Sequence, residues 1–219
     1  MNGYYPVALQ LHGKRCVVVG GGNIAERKLL GLLEAGADDL VVISPSFTSK
    51  LEQLAEQGKI RIERREYKEA DAREAWLIFA ATNDREVNAA IAEDACRFGT
   101  LVNASDEPGL SSFISPSVVR RGDLLLAVTA SGASPALSKQ IKLELEEQYG
   151  HRYEEITARL RKLRERVMIR VLDEQERQMI LKLAAEESVQ LTRKNFDIDE
   201  WLQSLMHRID RGYFNGNGT

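Results

Sequence analysis

The feature that most restricts the fold is a glycine-rich turn lying between two different hydrophobic patterns. The run Cys16-Val17-Val18-Val19 is apolar and rich in β-branched residues, which suits a strand buried on both faces. It leads into Gly20-Gly21-Gly22-Asn23-Ile24-Ala25, a G-x-G-x-x-A sequence. A helical stretch follows from about Ile24 to Ala35, with Leu29, Leu30, Leu32 and Leu33 as its apolar stripe and Gly36 as a stop. Strand, G-x-G-x-x-A and helix in that order are the fingerprint of a dinucleotide-binding turn. Gly20 permits the tight turn, Gly22 lets the backbone approach a pyrophosphate, and Ala25 is small enough for close helix–strand packing. The helix start at Asn23 and Ile24 offers free N–H groups and a positive dipole end to the phosphates.

The pattern continues in kind. Leu40-Val41-Val42-Ile43 reads as a second strand, Phe47 to Gln57 as a helix, and Ile60-Arg61-Ile62 as a short strand. The continuous run Trp76 to Ala81 reads as a further buried strand, Asn83 or Asp84 as the cap of a helix to about Arg97, and Leu101-Val102-Asn103 as a fifth strand. Repeated strand–helix–strand units imply a parallel, right-handed, doubly wound sheet. Ser112 to Val119 and Asp123 to Thr129 then read as two antiparallel strands joined through Arg120-Arg121-Gly122. Ser134-Pro135, an N-cap with proline at the first helical position, opens a helix through Glu147. Charged helices are expected over about 151–170, 173–192 and 198–210, ahead of a flexible tail from Gly212 to Thr219. The expected fold is therefore α/β. It has a Rossmann-like doubly wound parallel sheet over 1–111, a small α+β segment over 112–150 and a helical C-terminal domain over 151–219.

Composition narrows the function classes. With 219 residues, 43% of them hydrophobic and 29% charged, the chain has enough apolar material for a core, and disorder is not expected. A net charge of -3 gives no electrostatic footprint for nucleic acid. The basic stretch Arg159 to Arg166 lies on an amphipathic helix and reads as a solvated face or a contact for an anionic substrate or partner. Apolar runs such as Leu124 to Ala130 are strand-sized, well short of the roughly 20 residues that span a bilayer. The start, Met1 to Pro6, lacks the basic and apolar regions of a leader. Cys16 and Cys96 have neither disulfide-framework nor metal-ligand spacing, so a reducing cytoplasm is expected. His12, His151 and His207 are scattered, and no metal site is expected.

Several residues are candidates for chemistry. The ribose-binding acid of dinucleotide folds lies near the end of the second strand. Asp38 and Asp39 precede that strand, whose end is Ser44-Pro45-Ser46. Ser44 can hydrogen-bond a ribose hydroxyl, and no arginine immediately follows to favour a 2′-phosphate, so NAD is preferred over NADP. Thr82 and Asn83, at the carboxyl end of the fourth strand, are placed for the nicotinamide ribose or for simple helix capping. Asp106 follows the fifth strand and reads as a base, a metal ligand or a plain turn residue. Ser112, Ser131 and Ser134 belong to two hydroxyl-rich segments, and the Ser131–Pro135 segment runs into a helix N-terminus as a possible anion site or an ordinary cap. Arg120 and Arg121 suit carboxylates or a solvated turn.

Four segments together resemble a known family: Pro6 to Gly22; Ala80-Ala81-Thr82-Asn83-Asp84; Val102-Asn103-Ala104-Ser105-Asp106; and Ser112 to Ser117 followed by Ala127 to Pro135. In order and spacing they are similar to precorrin-2 dehydrogenase, the sirohydrochlorin-forming family that also supplies the N-terminal region of siroheme synthase. The resemblance covers about residues 6 to 150. It implies an NAD-binding Rossmann domain, a middle dimerisation segment and a helical C-terminal domain, assembled as a homodimer with the active site near the subunit junction. It implies oxidation of precorrin-2 to sirohydrochlorin with NAD as hydride acceptor. The family's important aspartate falls on Asp106. Ser112, Arg120, Ser131 and Ser134 become candidate substrate contacts, with Arg121 and Lys139 as further carboxylate partners. Some relatives also insert ferrous iron, and some carry a serine where this chain has Ala130. No methyltransferase pattern follows before Thr219, so methylation is expected of a separate protein, and iron insertion of this chain or of a separate chelatase. Neither nucleic acid nor membrane is an expected partner. The rival readings are an NAD-sensing regulatory module without catalysis and a structural dimerisation protein with a relic cofactor site.

Overall fold

Five short apolar runs form one parallel sheet, and their two-residue side-chain period decides where everything else packs. The computed structural model describes residues 3–105, 107–190 and 197–210, apart from the side chains at 108 and 210. The strands are β1 (Arg15–Val19), β2 (Asp39–Ile43), β3 (Arg61–Glu63), β4 (Leu77–Ala80) and β5 (Leu101–Ala104), in the order β3-β2-β1-β4-β5. The register sets Val17 beside both Val41 and Ile78, so the three central strands are flush.

Alternate residues of these strands enter different cores. Cys16, Val18, Leu40, Val42, Leu77 and Phe79 face Leu29 and Leu32 of α1 (Asn23–Glu34) and Leu51 and Leu54 of α2 (Ser49–Glu56). Val17, Val19, Val41, Ile43, Ile78 and Ala80 face Ala72 of α3 (Glu69–Glu74) and Ile91, Ala92 and Ala95 of α4 (Arg85–Phe98). Both faces are covered, so β1, β2 and β4 carry no polar alternation, whereas the edge strand β3 does. The fold is the expected Rossmann-like doubly wound sheet. The α3 helix was not expected: its sequence, Glu69 to Glu74, is charged and has no apolar stripe. It forms because Asp71 accepts from the Lys68 N–H at 2.8 Å, capping the first turn.

The free edge of β5 is closed by side chains. The Ser112 N–H donates to the Val102 carbonyl, and the Ser112 hydroxyl accepts from the Val102 N–H at 2.8 Å. Ser111 accepts likewise from the Ala104 N–H at 2.9 Å. The segment from Ser112 is therefore not the start of the next strand, as its pattern had predicted.

The chain divides into two compact units, Met1–Ser115 and Pro116–Thr219. The second unit begins with an antiparallel pair, β6 (Ser117–Arg121) and β7 (Leu124–Val128). Arg120 and Arg121 are in β6 and the turn is Gly122-Asp123, a correction to the predicted Arg120-Arg121-Gly122 connection. Gly122 has φ +58, a conformation that favours glycine at the corner. Four helices follow: α5 (Pro135–Gln148), α6 (Arg152–Arg170), α7 (Glu174–Ser188) and α8 (Ile198–Asp210). The turn docks on α6, where the Asp123 N–H donates to Thr157 and Arg161 pairs with the Asp123 carboxylate. Leu163, Val167, Ile180, Ala184, Leu202 and Leu205 form a separate core among the last three helices. The predicted end of α7 at 192 and the tail from Gly212 lie outside the described residues. Among the described residues no helix is long and apolar enough to cross a membrane.

Candidate functional site

The order of the strands creates the site. From β1 the chain crosses to β2 over one face of the sheet, and from β3 it returns to β4 over the other. The loops after β1 and β4 therefore part, leaving a crevice at the carboxyl ends of the strands, where open α/β sheets bind ligands. A cleft of about 1030 Å³ occupies this position. Its lining runs from Val19 through Ile24, from Ile43 through Thr48, from Arg65 through Tyr67, and from Ala81 through Asp84, with Val87 and Ala90. Gly20, Gly22, Asn23, Ile24, Ser44, Thr82 and Asn83, expected as cofactor contacts, all stand on this one surface.

The three glycines have different physical reasons. Gly20 has φ +125, and a Cβ there would stand 2.3 Å from the Ala81 carbonyl oxygen. A Cβ at Gly21 would stand 1.8 Å from the Ser46 carbonyl oxygen, because the turn leans on the connection after β2, where the Thr48 N–H donates to the Gly21 carbonyl at 3.0 Å. A Cβ at Gly22 would meet nothing within 4 Å. The protein needs the first two glycines for its own packing, whereas the third opens on the cleft. Gly21 had no role assigned from the sequence, since the close approach is made by residues far along the chain.

Helix capping then marks where an anion fits. Thr48 caps α2 by accepting from the Leu51 N–H, and Asp84 caps α4 by accepting from the N–H groups of Glu86 and Val87. Gly22 caps α1 without a side chain, so Asn23 and Ile24 present first-turn N–H groups at the glycine loop. Ala25 beneath them is fully buried, as close packing of α1 on β1 requires. An uncapped helix start, a loop clear of side chains and a long cleft fit a dinucleotide whose pyrophosphate lies over Gly22.

The walls are held by buried polar groups. Asn88, 5% exposed, accepts from the Thr82 hydroxyl at 2.8 Å and from the Thr82 N–H, and donates to the Thr82 carbonyl at 3.0 Å. This leaves Asn83 projecting at the rim with no protein partner among the described residues, available to a ligand. Opposite, Arg65 is clamped by Glu63 and Asp71. Burial works against ionisation of Asp71, but the Arg65 hydrogen bonds and the Lys68 N–H hold its carboxyl below the usual aspartate range. Asp38 lies at the opposite edge of the sheet, as the sequence implied; the Gly13 N–H and His12 hold it below its usual range. No ribose-binding carboxylate stands at the end of β2.

A second cluster orders the end of β5. Lys28 of α1 donates to the Asn103 side-chain oxygen at 3.0 Å and to Ser115 at 3.2 Å, and lies over the Phe79 ring. Asn103 donates to the Phe113 carbonyl at 2.9 Å. Burial, with Arg27 nearby, lowers the Lys28 pKa. The 111–115 segment is thus strapped to β5, and the Ser105 hydroxyl is buried without a hydrogen-bond partner among the described residues. Asp106 lies outside the described residues. Ser112 does not line the cleft; its hydroxyl is engaged with Val102. Arg120, Ser131 and Ser134 belong to the second unit. There Ser134 accepts from the Leu137 N–H as the cap of α5, Ser131 is exposed at φ +52, and Arg120 is exposed on β6. Cys16 is buried, which pushes its thiol up to about 11, so it is unreactive at neutral pH. Among the described residues no group of three or more His, Cys, Asp or Glu is placed to hold a metal ion.

Comparison with known proteins agrees with this geometry. The chain is 41% identical over 164 residues to a siroheme synthase of Methylococcus capsulatus, covering 75% of this chain and 34% of that protein. It is 40% identical over 168 residues to a siroheme synthase of Nitrosospira multiformis, covering 75% and 35%. The chain thus spans about a third of the length of the curated relatives it matches. Among solved structures, SirC, a precorrin-2 dehydrogenase, superposes with a TM-score of 0.76 at 29% identity, covering 93% of this chain and all of that one. The sequence model of the family described as "Putative NAD(P)-binding" matches residues 7–117, which carry the whole cleft, and the chain belongs to that NAD(P)-binding family.

Proposed function

We propose that this protein oxidises precorrin-2 to sirohydrochlorin with NAD⁺ as acceptor, in the formation of siroheme. The observation that carries this reading is the superposition on SirC, which extends over 93% of the chain and so beyond the cofactor-binding unit. Three of the motif segments that resemble the precorrin-2 dehydrogenase family reach the carboxyl edge of the sheet, at Gly20–Gly22, Thr82–Asp84 and Ala104–Ser105, and the fourth runs from the strap on β5 into β7 and the start of α5 of the second unit, which supports the same reading.

Bound NAD⁺ supplies the hydride acceptor. Gly20 and Gly22 shape the floor, and the N–H groups at Asn23 and Ile24 would hold the pyrophosphate. Ser44 would contact the adenosine ribose, and Thr82 and Asn83 the nicotinamide ribose. Loss of a hydride from a saturated ring carbon and of one proton converts precorrin-2 to the conjugated product, so two electrons and two hydrogens leave together. Asp106, which follows β5 in the chain, takes the proton or stabilises positive charge on the ring. The substrate is rich in carboxylates, and Arg120, Ser131, Ser134 and Ser112 are its proposed contacts, Ser112 through the order it imposes on the segment beside β5. The 112–150 segment serves dimerisation, and the chain works as a cytoplasmic homodimer. Iron insertion, by this chain or a separate chelatase, follows dehydrogenation.

The test is an anaerobic assay with enzymatically made precorrin-2 and NAD⁺, following NADH and the sirohydrochlorin spectrum, with ferrous iron added afterwards. Stoichiometric NADH and sirohydrochlorin are expected. Asp106→Ala is expected to abolish turnover while NAD⁺ still binds. Binding of NAD⁺ without turnover of intact substrate by the unaltered protein would replace this reading with that of a nucleotide sensor.

A further inference from the structure

Dinucleotide clefts of this kind distinguish NAD from NADP at the adenosine ribose, where a carboxylate takes the 2′-hydroxyl or an arginine accommodates the 2′-phosphate. Among the described residues no carboxylate directly follows β2, and the carboxylates on the lining, Glu66 and Asp84, come after β3 and β4, so selection against NADP needs a source outside the β2 end. Among the described residues Arg65, in the loop after β3, is the one arginine on its lining. A guanidinium has five N–H groups, and all five are engaged within the protein. Nε–H donates to Glu63 at 2.8 Å, and Nη1 donates to Asp71 at 2.8 Å and to the Glu66 carbonyl at 2.9 Å. Nη2 donates to Asp71 at 2.7 Å and also to Glu63. The Asp71 side chain is only 7% exposed, against 28% for Arg65 and 38% for Glu63, so the Asp71 arm of the clamp is the one shielded from solvent and from counterions. The neighbouring Arg64 lies over Phe47, pairs with Glu52 and is not on the lining.

We propose that Arg65 is the cofactor-specificity residue of the cleft: a 2′-phosphate receptor occupied by Glu63 and Asp71, whose clamp makes the protein select NAD over NADP. A 2′-phosphate arriving here meets a guanidinium with no free donor and two carboxylates that repel it. The uncharged 2′-hydroxyl of NAD meets neither penalty. The inference rests on the cleft being the dinucleotide site, which the test reads separately.

The experiment is calorimetric titration of the full chain with NAD⁺, NADP⁺, AMP and adenosine 2′,5′-bisphosphate, the last two differing only by the 2′-phosphate. The unaltered protein is expected to bind NAD⁺ at least about tenfold more tightly than NADP⁺. In Glu63→Gln/Asp71→Asn, the affinity for NADP⁺ relative to NAD⁺, and for the bisphosphate relative to AMP, is expected to rise about tenfold, the worth of one charge-assisted hydrogen bond. Adding Arg65→Met to that background removes the gain. Because Asp71 also caps α3, the double variant is checked by thermal melting. If it does not fold, Glu63→Gln alone decides, with an expected gain of about threefold on the same scale. Equal affinity of the unaltered protein for NAD⁺ and NADP⁺, no gain in a folded variant, or a gain that survives Arg65→Met would each overturn the proposal. Failure of the unaltered protein to bind NAD⁺ at all would instead remove the reading of the cleft itself.

Discussion

Two loops in this chain run through small residues into the start of a helix, and they are built for opposite ends. The Gly20–Gly22 loop enters α1 with no side-chain cap and an open face at Gly22. The Ala130–Ser134 loop enters α5 with its polar groups paired internally: Ser134 caps the Leu137 N–H, the Thr129 hydroxyl accepts from the Ser131 N–H, and buried Ser138 accepts from the Ala130 N–H at 3.0 Å. From sequence both are candidate anion sites. In structure the first leaves its helix-start N–H groups to a dinucleotide, whereas the second satisfies its own N–H groups and offers a ligand only exposed side chains such as Ser131. A helix N-terminus becomes a binding site when the protein withholds its own caps.

The largest expected effect comes from Gly21→Ala, since its Cβ would lie within bonding distance of the backbone oxygen of Ser46. NAD⁺ affinity should fall by about a hundredfold or more, equivalent to about 3 kcal/mol, and the melting temperature should drop. Gly132→Ala, at φ +86 with open space around its Cβ, should cost only about 1–2 kcal/mol of stability and leave NAD⁺ affinity untouched. Calorimetry and thermal melts on the two variants decide it; equal NAD⁺ affinity in both would erase the contrast.

Next are the buried groups that hold each loop. Asn88→Ala and Ser138→Ala each strand a backbone N–H, at Thr82 and at Ala130, and each should destabilise by about 1–3 kcal/mol. Only Asn88→Ala should weaken NAD⁺ binding. A comparable loss in Ser138→Ala would mean that the second loop also serves the cofactor.

Acid should separate the units in a similar way. The folded-state pKa of Asp71 is depressed, so its contribution to stability is full above the unfolded aspartate value and is lost as pH falls through the folded one. Hydrogen exchange followed by mass spectrometry should show Asp71→Asn flattening this acid dependence in residues 3–105 but not in 116–190. A flattened response in both would show that the clamp does not act locally.

The smallest pair is Gly22→Ala and Ser134→Ala. The first should change stability by under about 1 kcal/mol and still weaken NAD⁺ binding. The second should lose about 1 kcal/mol of cap and leave NAD⁺ binding as it was. Melting curves with and without NAD⁺ separate them.

Much of the first unit was legible because its signals are local. Five apolar runs separated by amphipathic stretches specify parallel strands with helices on both faces, and the position of Gly20–Gly22 between strand and helix specifies the cleft edge. The short α3 was missed because its stability comes from Asp71 and Arg65, not from an apolar stripe. Ser112 was assigned to a strand because hydroxyls that close a sheet edge look in sequence like ordinary strand flanks. The Arg120-Arg121-Gly122 turn was placed early because either residue pair can sit at a hairpin corner, and only the docking of Gly122 on α6 selects the corner.

What the sequence determined by itself is the architecture of the cofactor unit and the location of its phosphate-binding turn, since hydrophobic period and glycine conformation act over a few residues. What only the tertiary structure decided is which polar groups remain free. Gly21 is dictated by Ser46, Thr82 is held by Asn88, and Arg65 is saturated by Glu63 and Asp71. Whether a donor or a charge is available to a ligand depends on partners brought together by folding, and no local pattern records those partners.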